Sequence, residues 1–336
     1  MEKIAFIIGD RFLYWSPLIL ALAVIAAVCA FIALHLSMGG RVLGTAVVLP
    51  MAFVFSFVLG RIVIWYCRPD SYESFAAAIT DISGGGFALT GVVAGVLLAL
   101  CIARLTGALE DLPKALDCAS LAGLLGICVG RFNHLFNSGD RGIEVGTFTG
   151  LPMAYPVVNA STGESELRLA TFMLQAIVAG IIFAALLTVY ILGRNKKSLR
   201  NGDICLLAML CYGASQVIMD STRYDALFLR SNGFVSMVQI LGAVMVAVTI
   251  VLFSIRMVKA NGFKWWFVAC WVGVAGLLTC AGIMEYYVQR RGNEAYIFYN
   301  VMAASLVAVV AIGVVIRWLA VAGERAKEAK IEQNEE

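Results

Sequence analysis

The chain has 336 residues, of which 61% are hydrophobic and only 14% are charged, and its mean hydropathy is +0.88. Water-soluble domains carry about 25% charged residues, so the composition excludes a large soluble domain. The formal net charge of +3 is too small to indicate a nucleic-acid ligand. We therefore predict an all-α, polytopic helical membrane protein embedded in the lipid bilayer.

Nine apolar segments are candidates to cross the bilayer as helices, which takes roughly 20 residues each. The first exceeds the roughly 7–15 residues of a signal-peptide core, so we expect an uncleaved membrane helix there. The fourth and sixth contain polar residues, and such residues in a membrane span usually face a cavity or a partner. The predicted spans are 16–38, 45–66, 85–107, 115–136, 168–192, 202–221, 234–258, 264–288 and 296–322.

Basic residues concentrate in three connections, which follow predicted spans five, seven and nine. Because cytoplasmic loops carry an excess of Lys and Arg, these connections predict a cytoplasmic C-terminus and, with nine spans, an N-terminus outside the cell. The long connection 137–167 then lies outside and shows no regular periodicity. The basic residues are Arg194, Lys196, Lys197, Arg200, Arg256, Lys259, Lys264, Arg325, Lys327 and Lys330.

The densest polar cluster, GRFNHLFNSGDRG at 130–142, follows the fourth apolar segment. On a helix Arg131, His134 and Asn137 are spaced i, i+3 and i+6 and share one face. An arginine at the membrane centre costs about 2.5–3.5 kcal/mol on insertion scales, and less near the interface. It can extend towards lipid headgroups, or it can bind a phosphate, which suits the guanidinium geometry. The neighbouring polar residues favour the phosphate site.

Span six carries a second polar face. Tyr212, Gln216, Asp220 and Arg223 follow one another at i, i+4, i+8 and i+11. Asp220 and Arg223 are one turn apart and can pair, which indicates either a site or a structural ion pair at the membrane edge.

Three glycines at 84–86 precede span three, and glycine permits close approach of a ligand to the backbone. The alternative is tight helix packing, because Gly91 and Gly95 are four residues apart. With only two histidines and no CxxC spacing among nine cysteines, no metal site and no cofactor are expected.

The order of these motifs resembles that of the prolipoprotein diacylglyceryl transferase family, bacterial enzymes that lipidate lipoprotein precursors. The signature G-R-x-G-N-F-x-N-x-E-x-x-G matches at Gly130, Arg131, Asn137 and Gly142, with His134 at the family asparagine and Gly139 at the glutamate.

A second family motif, Y-G-x-x-R-F-x-x-E-x-x-R, aligns with span six. It matches at Tyr212, Gly213 and Arg223, whereas Gln216 replaces an arginine and Asp220 a glutamate. The family S-M-G-Q resembles Ser236 to Gln239, and Thr90 takes the place of a family histidine in the glycine-rich motif.

The resemblance covers about residues 10–258. It implies a seven-helix transferase-like core at 1–258, two additional spans at 259–322 and a charged cytoplasmic tail at 323–336, in a bacterial plasma membrane. The implied reaction transfers diacylglyceryl from phosphatidylglycerol to the lipobox cysteine thiol of a lipoprotein precursor.

The resemblance also implies roles for individual residues. Arg131 binds the phosphate, and His134 is either a relocated base or a substitute for an asparagine hydrogen bond. Two alternatives stay open: a non-catalytic relative that binds lipid or a partner, favoured by Thr90 and Gln216, and, less favoured, a small-molecule transporter. The expected catalytic residues are His134, Arg131 and Asp220, and the expected substrate-binding residues are Arg131, Asn137, Tyr212, Arg223, Gln239 and Gly142.

Overall fold

The computed structural model describes residues 3–9, 11–81, 86–137, 139–145, 153–158, 163–195, 199–229, 232–290 and 295–335. Gly84, Gly85, Lys196 and Lys197, which the sequence singles out, lie outside the described residues. The helices are α1 (Trp15–Ser37), α2 (Val42–Cys67), α3 (Phe75–Thr80), α4 (Leu89–Leu105), α5 (Leu112–Gly130), α6 (Thr171–Asn195), α7 (Asp203–Ser221), α8 (Met237–Asn261), α9 (Phe267–Arg290) and α10 (Ala295–Glu335).

Within the described ranges, eight of these helices are long and apolar enough to cross a membrane. The polytopic all-α prediction is therefore confirmed. The third predicted span, 85–107, is the shorter apolar helix α4 of 17 residues. At 1.5 Å per residue it reaches only about 25 Å, less than the roughly 30 Å hydrocarbon core. Because Gly86 has a φ of 84° and Ala88 is extended, α4 begins at Leu89, later than the predicted start of the span at residue 85.

Small residues bring α2 and α4 into direct backbone contact. A Cβ atom on Gly91 would collide with the Leu59 carbonyl, and one on Gly95 would collide with the backbone of Ser56. Gly91 and Gly95 therefore serve tight helix packing, as their four-residue spacing indicates.

In the described part of the chain three short antiparallel hairpins accompany the helices, and none was expected from the sequence. They pair β1 (Ile4–Ile8) with β2 (Arg11–Tyr14), β3 (Ala154–Val158) with β4 (Ser165–Leu169), and β5 (Phe228–Leu229) with β6 (Asn232–Ser236). The connection 137–167, predicted to be irregular, thus contains β3 and the start of β4. Gly142 joins the polar motif 130–142 to β4, because its N–H donates to the Leu169 carbonyl at 2.7 Å.

The largest core cluster joins α7 and α8 to the C-terminal helices. Gly213 and Gly242 allow α7 and α8 to touch, since a Cβ on Gly213 would lie 2.8 Å from the Gly242 carbonyl oxygen. Helices α9 and α10 pack on this pair through residues such as Phe267, Met302 and Val309. The division into a core and added spans stays a prediction, and the boundary placed at 258 falls within α8. The charged tail continues α10 as a helix to Glu335.

Candidate functional site

The motif that follows α5 continues it as a tighter helix. Residues Arg131–Leu135 form a 3-10 helix, so the expectation of one α-helical face through Asn137 is wrong. In a 3-10 helix residues i and i+3 eclipse, which keeps Arg131 and His134 on one side. The physical cause lies downstream, since the Arg141 guanidinium donates to the carbonyls of His134 and Asn137, both at 2.7 Å.

Asp140 is the centre of the site. Its carboxylate pairs with the guanidinium groups of Arg131 and Arg223, and His134 Nε2 lies 3.1 Å from its Oδ2. The residue is 5% exposed and adopts a left-handed φ of 52°, which is uncommon outside glycine. Its backbone N–H donates to Asp225 Oδ2 at 3.0 Å, which stabilises the turn.

Arg223 connects this centre to α7. Its Nη1 lies 3.0 Å from Asp220 Oδ1, which confirms the predicted one-turn pair, and its Nη2 lies 3.0 Å from Asp225 Oδ1. Asp220 is 1% exposed and also accepts a hydrogen bond from the Ser236 hydroxyl. We call the ionisable group of Arg131, His134, Asp140, Asp220, Arg223 and Asp225 the site cluster.

The site cluster is electrically balanced once Arg141 is included. Arg131, Arg141 and Arg223 then face three aspartates, as a buried charge network requires. In this structure Asp140 fills the space between Arg131 and Arg223, so that space is not open to a phosphate. We call that space the anion site.

The hydrogen bonds of His134 locate one proton. The Gly139 N–H donates to Asn137 Oδ1 at 2.9 Å, so this oxygen is an acceptor. His134 Nδ1, 2.7 Å from the same oxygen, must then carry a hydrogen. On the other side of the ring Nε2 lies 3.1 Å from Asp140 Oδ2.

Three expected substrate contacts have partners within the fold. Asn137 donates to Asn133 Oδ1 at 2.9 Å and to Ser16 Oγ at 3.1 Å. Gln239 completes a capping box with Ser236 at the start of α8, and its amide donates to the Val217 carbonyl at 3.2 Å. Gly142 packs against Leu169 and Thr171, where a side chain would collide.

Tyr212 and Gln216 form a polar layer beneath the site cluster. The Tyr212 hydroxyl is buried beside Arg131 and makes no well-formed hydrogen bond within the described part of the chain. Gln216 accepts from Gln175 of α6 at 3.2 Å. The Thr90 hydroxyl is also buried without a partner among these residues.

Sequence reasoning missed the part played by Arg141. Its side chain stacks between Tyr155 and Phe172, with Cζ 4.1 Å and 4.6 Å from the ring centroids. Burial lowers the pKa of its guanidinium. Its partners come from β3 and α6, so no local spacing in the sequence indicates them.

Comparisons with known proteins identify the family of this chain. Residues 3–255 match the family model described as prolipoprotein diacylglyceryl transferase. The phosphatidylglycerol–prolipoprotein diacylglyceryl transferase of Finegoldia magna is 28% identical over 258 residues, covering 74% of this chain and 95% of the relative. That of Dehalococcoides mccartyi is 27% identical over 265 residues, covering 77% and 95%. That of Streptococcus equi subsp. zooepidemicus is 23% identical over 252 residues, covering 73% and 93%.

The match spans all of α1–α7 and most of α8, and it contains every residue of the site cluster. Helices α9 and α10 lie beyond it. With its eight apolar helices among the described residues, the chain is a multi-pass bacterial membrane protein. It belongs to the prolipoprotein diacylglyceryl transferase family.

Proposed function

We propose that this protein transfers diacylglyceryl from phosphatidylglycerol to the cysteine thiol of a lipoprotein precursor. The observation that carries the proposal is the convergence of Arg131 and Arg223 on one buried carboxylate. Both arginines match family motif positions, and two guanidinium groups that hold a carboxylate also suit a phosphate. In the reaction a sulfur–carbon bond forms, the carbon–oxygen bond to phosphate breaks, and glycerol phosphate leaves.

Phosphate enters the anion site by exchange with Asp140. Because the site cluster is already balanced, an added anion alongside three aspartates would leave uncompensated buried charge. The left-handed backbone of Asp140 costs on the order of 1–3 kcal/mol, which lowers the cost of moving its carboxylate away. Arg131 and Arg223 then stabilise the charge that develops on the departing phosphate.

The same exchange gives His134 a chemical role. Once Asp140 leaves, Nε2 accepts the thiol proton, while the hydrogen bond to Asn137 Oδ1 fixes the ring. The thiolate is the nucleophile in this step. His134 thus acts as the base in place of the family histidine, where this chain has Thr90.

The positions of the site and of the basic connections indicate the membrane orientation. The site gathers the starts of α1, α6 and α8 with the ends of α5 and α7, through contacts such as Asn137 with Ser16 and Thr171 with Thr222. The basic connections lie at the opposite ends of these helices. From the positive-inside rule we infer that the site cluster and the N-terminus lie outside and the C-terminus in the cytoplasm.

A transfer assay tests the proposal. Purified protein receives labelled phosphatidylglycerol and a lipobox peptide, and lipidated peptide is measured. We expect Arg131→Ala to lower turnover by about 10²–10³-fold, as for loss of one transition-state donor. Arg41→Ala is the matched control, since that arginine pairs with Glu110 at an exposed position away from the site. Absence of transfer by folded wild-type protein would contradict the proposal.

A second candidate is a relative that binds lipid without transferring it. It is favoured by Gln216, which pairs with the neutral Gln175 where the family has an arginine. Phosphatidylglycerol binding that requires Arg131, without any lipidated peptide, would establish this function instead.

A further inference from the structure

The two C-terminal helices contact the last turn of α7, although they lie beyond the family match at 3–255. The Ser221 hydroxyl donates to Glu285 Oε2 of α9 at 2.5 Å. The Ser221 carbonyl accepts a hydrogen bond from the Tyr299 hydroxyl of α10 at 3.3 Å. One residue at the end of α7 is therefore held by both added helices.

Glu285 is a buried acidic residue on a membrane helix. It is 6% exposed, and its second carboxylate oxygen accepts from Gln289 at 3.0 Å. An ionisable residue in a membrane span is costly to bury, which makes it a candidate for a role in a site. Both oxygens of its carboxyl group thus have hydrogen-bond partners, one of them the Ser221 hydroxyl.

Ser221 lies within the segment that carries two members of the site cluster. It directly follows Asp220 and precedes Arg223 by two residues. The last carbonyl groups of a helix have no partner within that helix. Tyr299 supplies one for Ser221, so α9 and α10 together fix the turn from which Arg223 reaches Asp140.

The opposite ends of α7 and α10 are also joined. Asp203, in the first turn of α7, pairs with Arg256 of α8 and with Arg317 of α10, the latter at 3.0 Å. Glu324 of α10 pairs with Arg200 at 3.1 Å. We call these five residues the anchor cluster. Helix α10 therefore contacts α7 near both ends of α7, through Ser221 and through Asp203.

We propose that Glu285 is a positioning residue that holds the Asp220–Arg223 turn so that Arg223 meets the lipid phosphate. This inference rests on the proposed function. Glu285 touches no substrate and acts through Ser221. On this view the added helices α9 and α10 help to position the transferase site.

The test compares Glu285→Ala and Glu285→Gln with Ser254→Ala in the full-length protein. Ser254→Ala is the matched control, because it removes a 2.9 Å hydrogen bond from Trp271 that joins α8 to α9 away from the site. Two quantities are measured: kcat and KM for lipid transfer, and hydrogen exchange of the backbone amides at 219–225.

We expect Glu285→Ala to lower kcat by about tenfold or more, as small displacements of catalytic groups do, with less change in the KM for peptide. Exchange at 219–225 rises in the same variant. Glu285→Gln, which can still accept the Ser221 hydrogen bond, retains most of the turnover. Ser254→Ala changes neither quantity.

Three results would overturn the inference. Unchanged exchange in Glu285→Ala would mean that Glu285 does not hold the turn. Faster exchange with unchanged kcat would make the contact structural only, as would equal losses of kcat in the Glu285→Ala and Ser254→Ala variants. If the wild type transfers no lipid, the proposed function fails and the role in transfer fails with it, whereas the exchange measurement still decides whether α9 holds the turn.

Discussion

Two buried aspartates in this protein are each held by two arginines, yet their surroundings differ. Asp203 begins the regular helix α7, where a negative charge is favourable, and it is fully buried. Asp140 lies on a left-handed turn, with a histidine at 3.1 Å. The pairs are Asp203 with Arg256 and Arg317, and Asp140 with Arg131 and Arg223.

The difference shows which ion network can exchange its anion. Around Asp203 the backbone is also fixed, because Asp117 accepts from the N–H groups of Gly202 and Cys205, both at 2.7 Å. Removal of Asp203 would leave Arg317 without the carboxylate it contacts, whereas Arg256 keeps Glu324 at 3.5 Å. Asp140, by contrast, belongs to a connection between helices, and Arg223 keeps two other carboxylates when Asp140 moves. We therefore expect the anchor cluster to determine stability and the site cluster to determine activity.

The largest expected effect is on stability at the anchor cluster. Asp203→Ala should destabilise the protein by about 3–5 kcal/mol, since it leaves uncompensated buried charge. Thermal unfolding in detergent measures this loss. Asp140→Ala provides the comparison, and a loss of stability equal to that of Asp203→Ala would remove the distinction between the two clusters.

The next effect is on activity at the site cluster. His134→Ala should lower turnover by about 10²-fold or more, as expected for a lost general base, with little change in unfolding temperature. The acid limb of the pH–rate profile should also disappear. An unchanged profile in an active His134→Ala variant would show that His134 only replaces an asparagine hydrogen bond.

A smaller effect, that of Gly91→Ala, distinguishes a role in helix packing from a role in ligand binding. Gly91→Ala places a methyl group against the Leu59 carbonyl and should destabilise the protein by about 1–3 kcal/mol through overpacking. Turnover of the folded fraction should stay unchanged. A loss of turnover at full stability would mean that this glycine serves a ligand.

The smallest effect is expected at an exposed ion pair. Arg41 and Glu110 have side chains that are 67% and 47% exposed, so Arg41→Ala should change stability by no more than about 1 kcal/mol. Chemical unfolding of this variant sets the baseline for arginine removal. A larger loss would show that burial does not explain the difference between the clusters.

Much of the helical fold could be predicted from the sequence, because long apolar segments have few structures available in a bilayer. The start of α1 and the Asp220–Arg223 pair also follow from local sequence, because the first marks the beginning of an apolar run and the second joins residues only three apart. The late start of α4 could not be predicted from hydropathy, which does not register the extended backbone at Ala88.

The centre of the site was less accessible to sequence reasoning. Arg131 and His134 could be placed on one side, but Asp140 reaches them only through a left-handed turn held by Arg141 and Asp225. Glu285 was missed for a similar reason. Its partner Ser221 is 64 residues away in the chain, and only tertiary packing brings the two together.

The central claim is that the anion site binds the lipid phosphate in exchange for Asp140. Phosphatidylglycerol binding to Asp140→Asn, compared with wild type and with diacylglycerol as the ligand without phosphate, tests it most directly. We predict tighter phosphatidylglycerol binding by about tenfold, or roughly 1.4 kcal/mol, that is lost when Arg131→Ala is added. Unchanged or weaker binding by the folded Asp140→Asn variant would contradict the exchange and would make Asp140 a permanent partner of the two arginines.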